Sequence, residues 1–197
     1  MYIDIPYYDD NEYFEYTKVV LGEITEALNI IDEEETKILI NKIRCARRVF
    51  FVGVGRVLLS LQAIVKRLNH MHIDAYYVGQ IDEPEITKDD LLIVASGSGN
   101  SIFPVAIAKK AKEISKDIKI IHIGSNPNGK VSEYSDFMVR IPVKTKEGLI
   151  DEIESEQPMT TLFEQTLLIY LDIVCKLVNN GRFYTEEQLK SHHANLE

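Results

Sequence analysis

Short, largely apolar runs recur along the middle of this 197-residue chain, and the first four are each followed by a glycine or a serine. The five runs lie at residues 49–52, 75–78, 91–95, 118–123 and 137–141. A continuous apolar run of this length is typical of a parallel strand that is buried on both faces. Helical patterns separate most of the runs, which favours βαβ units. We therefore predict a three-layer α/β fold with helices on both sides of a five-stranded parallel sheet.

The remaining apolar residues fall at helical spacing. Two helices precede the first strand, so residues 1–46 are expected to form a helical arm that packs on a single unit of residues 47–197. Asp32 and Glu35 have the spacing of a capping box at the start of the second helix. The polar segment 143–158 is expected to be a mobile or inserted loop. The predicted helices span residues 11–31, 32–46, 56–70, 101–115, 159–178 and 185–190.

Composition excludes several classes of protein. The chain has 22 Lys and Arg against 31 Asp and Glu, a net charge of −9, which argues against a nucleic-acid-binding surface. No apolar run is long enough to span a membrane, and the acidic N-terminus is unlike a signal peptide. Cys45 and Cys175 both fall in apolar helical patterns and are expected to be buried, reduced thiols of a cytoplasmic protein.

The most informative segment is the serine loop, residues 96–101, which has the sequence Ser-Gly-Ser-Gly-Asn-Ser. It follows a predicted strand and precedes a predicted helix, whose first N–H groups are unpaired and favour an anion. Glycines allow close approach of the backbone, and serines add O–H donors. We therefore expect Ser96, Gly97, Ser98, Asn100 and Ser101 to bind phosphate without a lysine or arginine. The alternative is a plain N-cap, which explains one such residue but not three serines and two glycines.

A second glycine-containing turn, Gly53-Val54-Gly55-Arg56, follows the first strand. It superficially matches a dinucleotide-binding turn, but Leu58 stands at the position of the third glycine and no acidic residue follows the second strand. Gly53 and Gly55 let the backbone approach a ligand, and Arg56 is a candidate for contact with substrate oxygens or phosphate. The alternative is simply a tight turn between strand and helix.

The serine loop resembles the sugar isomerase (SIS) domain family, whose pattern Ser-x-Ser-Gly-x-Ser/Thr is matched by Ser96, Ser98, Gly99 and Ser101. Within that family the chain is most similar to the 3-hexulose-6-phosphate isomerases. The segments that carry this resemblance include 53–56, 67–70, 77–79, 90–93, 158–159, 162–164 and 193–197. The resemblance implies a phosphosugar isomerase that converts D-arabino-3-hexulose 6-phosphate to fructose 6-phosphate. It also implies no metal or organic cofactor and a homo-oligomer, at least a dimer and commonly a tetramer.

The resemblance also implies roles for three residues. Glu164 matches the family's catalytic base, although an isolated glutamate in a first helical turn is usually only a solvated residue. His70 is expected to be an acid/base or oxyanion partner, or else a histidine favoured at a helix C-terminus. His193 is expected to reach a neighbouring subunit's site, or else to be an exposed tail residue. His122 lies within a strand and is expected to be a satisfied core side chain.

One departure from the family pattern concerns the phosphate. Val57-Leu58 stands where the family usually has Ser-Gly, so one hydroxyl donor is missing. Loss of one hydrogen bond to a charged group costs about 1.5–3 kcal/mol. Two alternatives therefore stay open: an isomerase of a different ketose or aldose phosphate, and a non-catalytic protein that binds or senses a phosphosugar. A third possibility is that the long helices serve mainly in assembly.

Overall fold

The five predicted strands form one parallel sheet. The computed structural model describes residues 10–179 and 185–191. The strands are β1 Val49–Val52, β2 Ala75–Tyr77, β3 Leu91–Ala95, β4 Lys119–Gly124 and β5 Phe137–Arg140. Their order is β2-β1-β3-β4-β5, and each neighbouring pair is parallel. The predicted α/β architecture is confirmed.

The helices begin and end within a few residues of their predicted positions. They are α1 Asp10–Asn29, α2 Glu33–Cys45, α3 Gly55–His70, α4 Ile102–Ile114, α5 Thr161–Asn179 and α6 Glu186–Ser191, with a 3₁₀ helix at Lys130–Glu133. The Asp32 carboxylate accepts a hydrogen bond from the Glu35 amide at 2.9 Å, so the predicted cap of α2 is confirmed. This bond satisfies one of the amides that a helix leaves unpaired at its start.

Two apolar clusters pack against the sheet, because successive side chains of a strand face opposite sides. Phe51 and Ile93 belong to the larger cluster, which also contains residues of α3 and α5. Phe50 and Leu92 belong to the smaller cluster with Ala108 of α4. Helices α1 and α2 both contact α5, so the N-terminal helices lie on the side of the sheet that carries the larger apolar cluster.

The two cysteines differ in their environment. Cys175 is buried, as predicted, and burial raises the pKa of its thiol to about 12. The prediction for Cys45 is wrong: it is exposed at the last residue of α2, beyond the buried face of that helix. Among the described residues, no helix combines the length and the apolar character that a membrane crossing requires.

The segment that connects β5 to α5 has little regular structure but is well anchored. The buried Glu152 carboxylate accepts hydrogen bonds from the Ser125 hydroxyl at 2.7 Å and from the Thr145 hydroxyl at 3.1 Å. At its other end, Glu23 of α1 accepts bonds from Ser155 and Gln157. Partial burial of Glu23 opposes ionisation, but these bonds outweigh it and hold the pKa of Glu23 below its ordinary value. A polar composition does not predict such anchoring.

The sheet order also locates a crevice. From β1 the chain moves to one edge of the sheet, and from β3 it moves toward the other edge. Ligands of open parallel sheets bind beyond the carboxyl ends of the strands at such a reversal point. The turns that follow β1 and β3 therefore lie where a ligand is expected.

Candidate active site

A cavity of about 490 Å³ opens at the carboxyl ends of β1 and β3. Three parts of the chain line it: the turn after β1, the serine loop after β3, and the segment that leads into α5. The lining residues are 54–57, 95–98, 101, 146, 158–161, 163 and 164.

The backbone carbonyl groups of the serine loop are hydrogen-bonded on the side of the loop that faces away from the cavity, toward β4. The four carbonyls from Ser96 to Gly99 all accept hydrogen bonds from residues of β4, of the turn after it and of the 3₁₀ helix, none of which lines the cavity. The donors, in carbonyl order, are His122 Nε2 at 2.9 Å, Ser125 N at 2.9 Å with Asn126 N at 3.0 Å, Asn126 Nδ2 at 3.1 Å and Val131 N at 3.0 Å. The carbonyl oxygens, which are the negative ends of these peptide dipoles, are thus bound by donors that do not line the cavity.

Two amide groups of the same loop remain open, whereas the amides of Ser96, Gly99 and Asn100 donate to the Ile123 carbonyl, the Ser96 carbonyl and the Ser98 hydroxyl. Within the described part of the chain, the N–H groups of Gly97 and Ser98 have no acceptor. The first amides of α4 also lack helical partners, as in any helix. Ser101 precedes α4, but its hydroxyl makes no capping bond and instead accepts from Ser96 Oγ at 3.4 Å. The arrangement suits an anion better than it suits a plain N-cap.

Two glycines allow this compact shape. Gly99 has a φ of +66°, and a Cβ there would lie 3.0 Å from the Cα of Gly129. A Cβ at Gly97 would lie 3.1 Å from Thr145 Cγ2. The loop is therefore packed directly against the turn after β4 on one side and against the β5–α5 segment on the other.

Glu164 lies in the first turn of α5 and also lines the cavity. Its carboxylate accepts hydrogen bonds from Arg56 Nε and, at 3.0 Å, from the Thr160 hydroxyl. The Ser60 hydroxyl donates to the Glu164 carbonyl at 3.2 Å, which ties α5 to α3. The side chain of Glu164 is 12% exposed, whereas that of Arg56 is 63% exposed. A fixed carboxylate thus shares one cavity with the serine loop.

The predicted site residues are only partly brought together. Ser96, Gly97, Ser98, Ser101, Gly55, Arg56 and Glu164 all line the cavity. Gly53 is buried below it, where a Cβ would lie 2.9 Å from Leu61 and Val57 of α3. Asn100 lies beside the cavity without lining it, and its side-chain Nδ2 donates to Glu147 Oε1 at 3.1 Å.

Neither of two predicted histidines is among the described residues that line this cavity. His70 is buried at the C-terminal end of α3. Fifteen helical residues separate it from Gly55, a distance of about 22 Å along the helix axis. His193 lies outside the described residues.

His122 is buried in β4 and differs from a fully satisfied core residue. Its Nε2 must carry the proton, because its partner is the Ser96 carbonyl, which can only accept. Nδ1 has no hydrogen-bond partner among the described residues. Burial lowers the pKa of His122, and the bond to Ser96 offsets only part of this effect. The neutral ring therefore supports the loop from behind.

Sequence reasoning missed several residues of the cavity wall, among them Lys146 and Thr160, and it used Met159 only as part of the resemblance. Met159 has a φ of +56°, an unusual conformation for a residue with a side chain, and it is exposed. Only the polar composition around Lys146 and the position of Met159 and Thr160 just before Glu164 pointed to them. The described residues contain no group of three or more His, Cys, Asp or Glu residues arranged to hold a metal.

Comparison with known proteins assigns the chain to a family. The family model described as "SIS domain" matches residues 42–172. The 3-hexulose-6-phosphate isomerase of Bacillus subtilis is 33% identical over 183 residues, which are 93% of this chain and 98% of the relative. The 3-hexulose-6-phosphate isomerase of Methanocaldococcus jannaschii is 35% identical over 167 residues, which are 84% of this chain and 87% of the relative.

A solved structure is similar over the same range. It is that of a hypothetical protein from Methanococcus jannaschii, whose title infers a molecular function of 3-hexulose-6-phosphate isomerase. The TM-score is 0.79 at 33% identity, and the match covers 93% of this chain and 99% of the other.

Proposed function

Because the chain belongs to the SIS domain family, we propose that it is a 3-hexulose-6-phosphate isomerase. The reaction interconverts D-arabino-3-hexulose 6-phosphate and fructose 6-phosphate. One observation supports the proposal beyond similarity: the serine loop, with its open Gly97 and Ser98 amides, and the Glu164 carboxylate line the same cavity. The loop supplies a place for the phosphate, and the carboxylate supplies a base for the sugar.

The reaction moves a carbonyl from C3 to C2. Glu164 removes the proton from C2 of the 3-hexulose, and the electron pair of that C–H bond forms the 2,3-enediolate. The same carboxyl group returns the proton to C3 while the hydroxyl proton passes between O2 and O3. The product is the 2-ketose, and atoms and charge balance without a redox partner.

Arg56 and Thr160 suit the developing negative charge. Both donate to the Glu164 carboxylate in the free protein. Arg56 is exposed enough to shift toward an oxygen of the bound sugar, where a guanidinium stabilises an enediolate. In this proposal Arg56 first orients the base and then stabilises the intermediate.

Deuterium exchange tests the assignment of the base. Purified protein is incubated with fructose 6-phosphate in deuterated water, and incorporation at carbon is followed by NMR. Glu164→Gln is expected to lower exchange by about 10³-fold or more, because general-base catalysis contributes about 10²–10⁴-fold. Binding of the sugar phosphate, measured by calorimetry, is expected to persist.

Asp172→Asn is the matched control, since Asp172 lies on the same helix but outside the cavity. Exchange in this variant is expected to equal that of the wild type. Absence of exchange in the wild type at high enzyme concentration would contradict the proposed reaction and favour a binding or sensing role.

We also propose that the protein works as a homo-oligomer in the cytoplasm, at least a dimer and by resemblance a tetramer. Large apolar side chains are exposed around the cavity and on α1, which supports contacts between copies. They include Tyr13, Phe14, Leu59, Ile102 and Met159. A neighbouring copy is also the route by which His70 or His193 would reach a cavity. Light scattering measures the copy number, and a monomer would contradict this part of the proposal.

A further inference from the structure

A short part of the β5–α5 segment, residues 145–147, crosses the serine loop. At one end, Thr145 Cγ2 lies 3.1 Å from the position of a Cβ built on Gly97. At the other end, Glu147 Oε1 accepts a hydrogen bond from Asn100 Nδ2 at 3.1 Å. Lys146 lies between these two contacts and lines the cavity. Its backbone is therefore held between the contacts at Gly97 and Asn100.

The crossing residues share an anchor with the loop. The amide and hydroxyl of Thr145 donate to the buried Glu152 carboxylate at 3.2 Å and 3.1 Å. The Ser125 hydroxyl donates to the same carboxylate at 2.7 Å, and the Ser125 amide donates to the Gly97 carbonyl at 2.9 Å. The backbone of Lys146 is thus fixed relative to the open amides of the serine loop.

The charge of Lys146 is not used within the described part of the protein. Lys146 makes no ion pair or hydrogen bond among those residues, whereas its neighbour Lys144 pairs with Glu154. The other cation of the cavity, Arg56, pairs with Glu164. A chain of net charge −9 repels anions at long range, so an unpaired cation beside the loop has a large effect on a phosphate ester.

We propose that Lys146 binds the substrate phosphate from the open side of the serine loop and makes the enzyme selective for doubly charged phosphate esters. The inference rests on the proposed function and deepens it, because it assigns the charge contact that hydroxyls and amides alone do not supply. The loop positions the phosphate, and Lys146 discriminates by charge.

The test compares Lys146→Met with Lys144→Met, which removes a lysine two residues away that is paired outside the cavity. For fructose 6-phosphate, Lys146→Met is expected to raise KM about tenfold, with kcat changed less than about twofold, because the contact is the same in ground and transition states. Lys144→Met is expected to leave both unchanged. Lys146→Arg is expected to restore most of the affinity, since it keeps the charge.

The dependence of KM on ionic strength is a second measurement, and it would not change if Lys146 served only in packing. Raising the salt concentration is expected to raise KM of the wild type and of Lys144→Met more steeply than that of Lys146→Met. A KM for Lys146→Met within about twofold of the wild type would overturn the inference and leave the proposed function intact.

Binding of inorganic phosphate separates this inference from the proposed reaction. If the wild type does not turn over fructose 6-phosphate, the proposed function fails, and the phosphate contact is then judged from melting temperatures alone. Phosphate should stabilise the wild type and Lys144→Met more than Lys146→Met. Equal stabilisation of all three proteins would overturn the assignment of Lys146.

Discussion

Two neighbouring strands, β1 and β3, each lead through a turn into a helix, and both turns line the same cavity. The serine loop after β3 has its carbonyls bound by donors from the β4 side, and its Gly97 and Ser98 amides have no acceptor among the described residues. The turn after β1 has no comparable set of bonds among the described residues, and it presents Val54, Arg56 and Val57 to the cavity. Equivalent positions in a parallel sheet therefore differ according to what packs behind them: one turn leaves two amides without acceptors, and the other carries the arginine that pairs with Glu164.

The largest effect is expected from Gly129→Ala, which acts on the serine loop from behind. A Cβ at Gly129 would lie 2.6 Å from both the Gly99 Cα and the Ser98 carbonyl oxygen, so backbone must move. We expect phosphate affinity to fall about 100-fold, equivalent to about 2.7 kcal/mol, as measured by inhibition with inorganic phosphate.

Gly55→Ala is the matched change in the other turn. Gly55 has a φ of +58°, but a Cβ there would meet nothing within 4 Å. We expect a loss of about 1–2 kcal/mol in unfolding free energy from backbone strain and little change in phosphate affinity. A greater loss of phosphate affinity in Gly55→Ala than in Gly129→Ala would refute the contrast between the two turns.

A smaller effect, and a dependence on pH, is expected from His122→Gln. The pKa of His122 is lowered in the folded protein, so below the ordinary pKa the unfolded chain binds a proton that the folded chain does not. This contribution to stability is complete above about pH 6.5 and is lost as the pH falls from there toward the folded-state pKa. We expect His122→Gln to remove an acid-side slope of at most about 1.4 kcal/mol per pH unit, measured by urea denaturation.

His122→Leu separates titration from support of the loop. Both variants lack the titrating ring, but only glutamine keeps a donor for the Ser96 carbonyl. Phosphate affinity is expected to fall about tenfold in His122→Leu and less in His122→Gln. Identical affinities in the two variants would show that the bond to Ser96 does not shape the loop.

The smallest effect is expected from Val57→Thr, which adds one hydroxyl to the β1 turn while nearly preserving shape. Val57 lines the cavity, so the new hydroxyl can donate to a bound phosphate. We expect phosphate affinity to rise about two- to tenfold, in line with one additional hydrogen bond. Val57→Ala controls for the change in packing, and an equal rise in that variant would argue against a hydrogen bond.

The order of elements and the location of the cavity followed from the sequence because both depend on local patterns. Buried strands are continuous apolar runs, and the carboxyl ends of parallel strands must meet at one edge of the sheet. The cap at Asp32 was predictable for the same reason, since its partner lies three residues away.

Contacts between distant segments were not predictable. Lys146 joins the cavity through its neighbours Thr145 and Glu147, which contact Gly97 and Asn100, residues more than forty positions away in sequence. Periodicity described His122 as a core residue but did not reveal that only one of its ring nitrogens has a partner. The end of α3 that carries His70 is fixed by helix length, which separates it from the β1 turn.

The division of the interior into two apolar clusters has a consequence for how such a protein changes over time. Phe163, beside the base, belongs to the larger cluster, whereas Val131, whose amide holds the serine loop, belongs to the smaller one. Phe163 also packs against Gly97 of the serine loop, so a substitution in either interior acts on that loop. We therefore expect catalysis and recognition of the sugar phosphate to decline together when either interior is eroded.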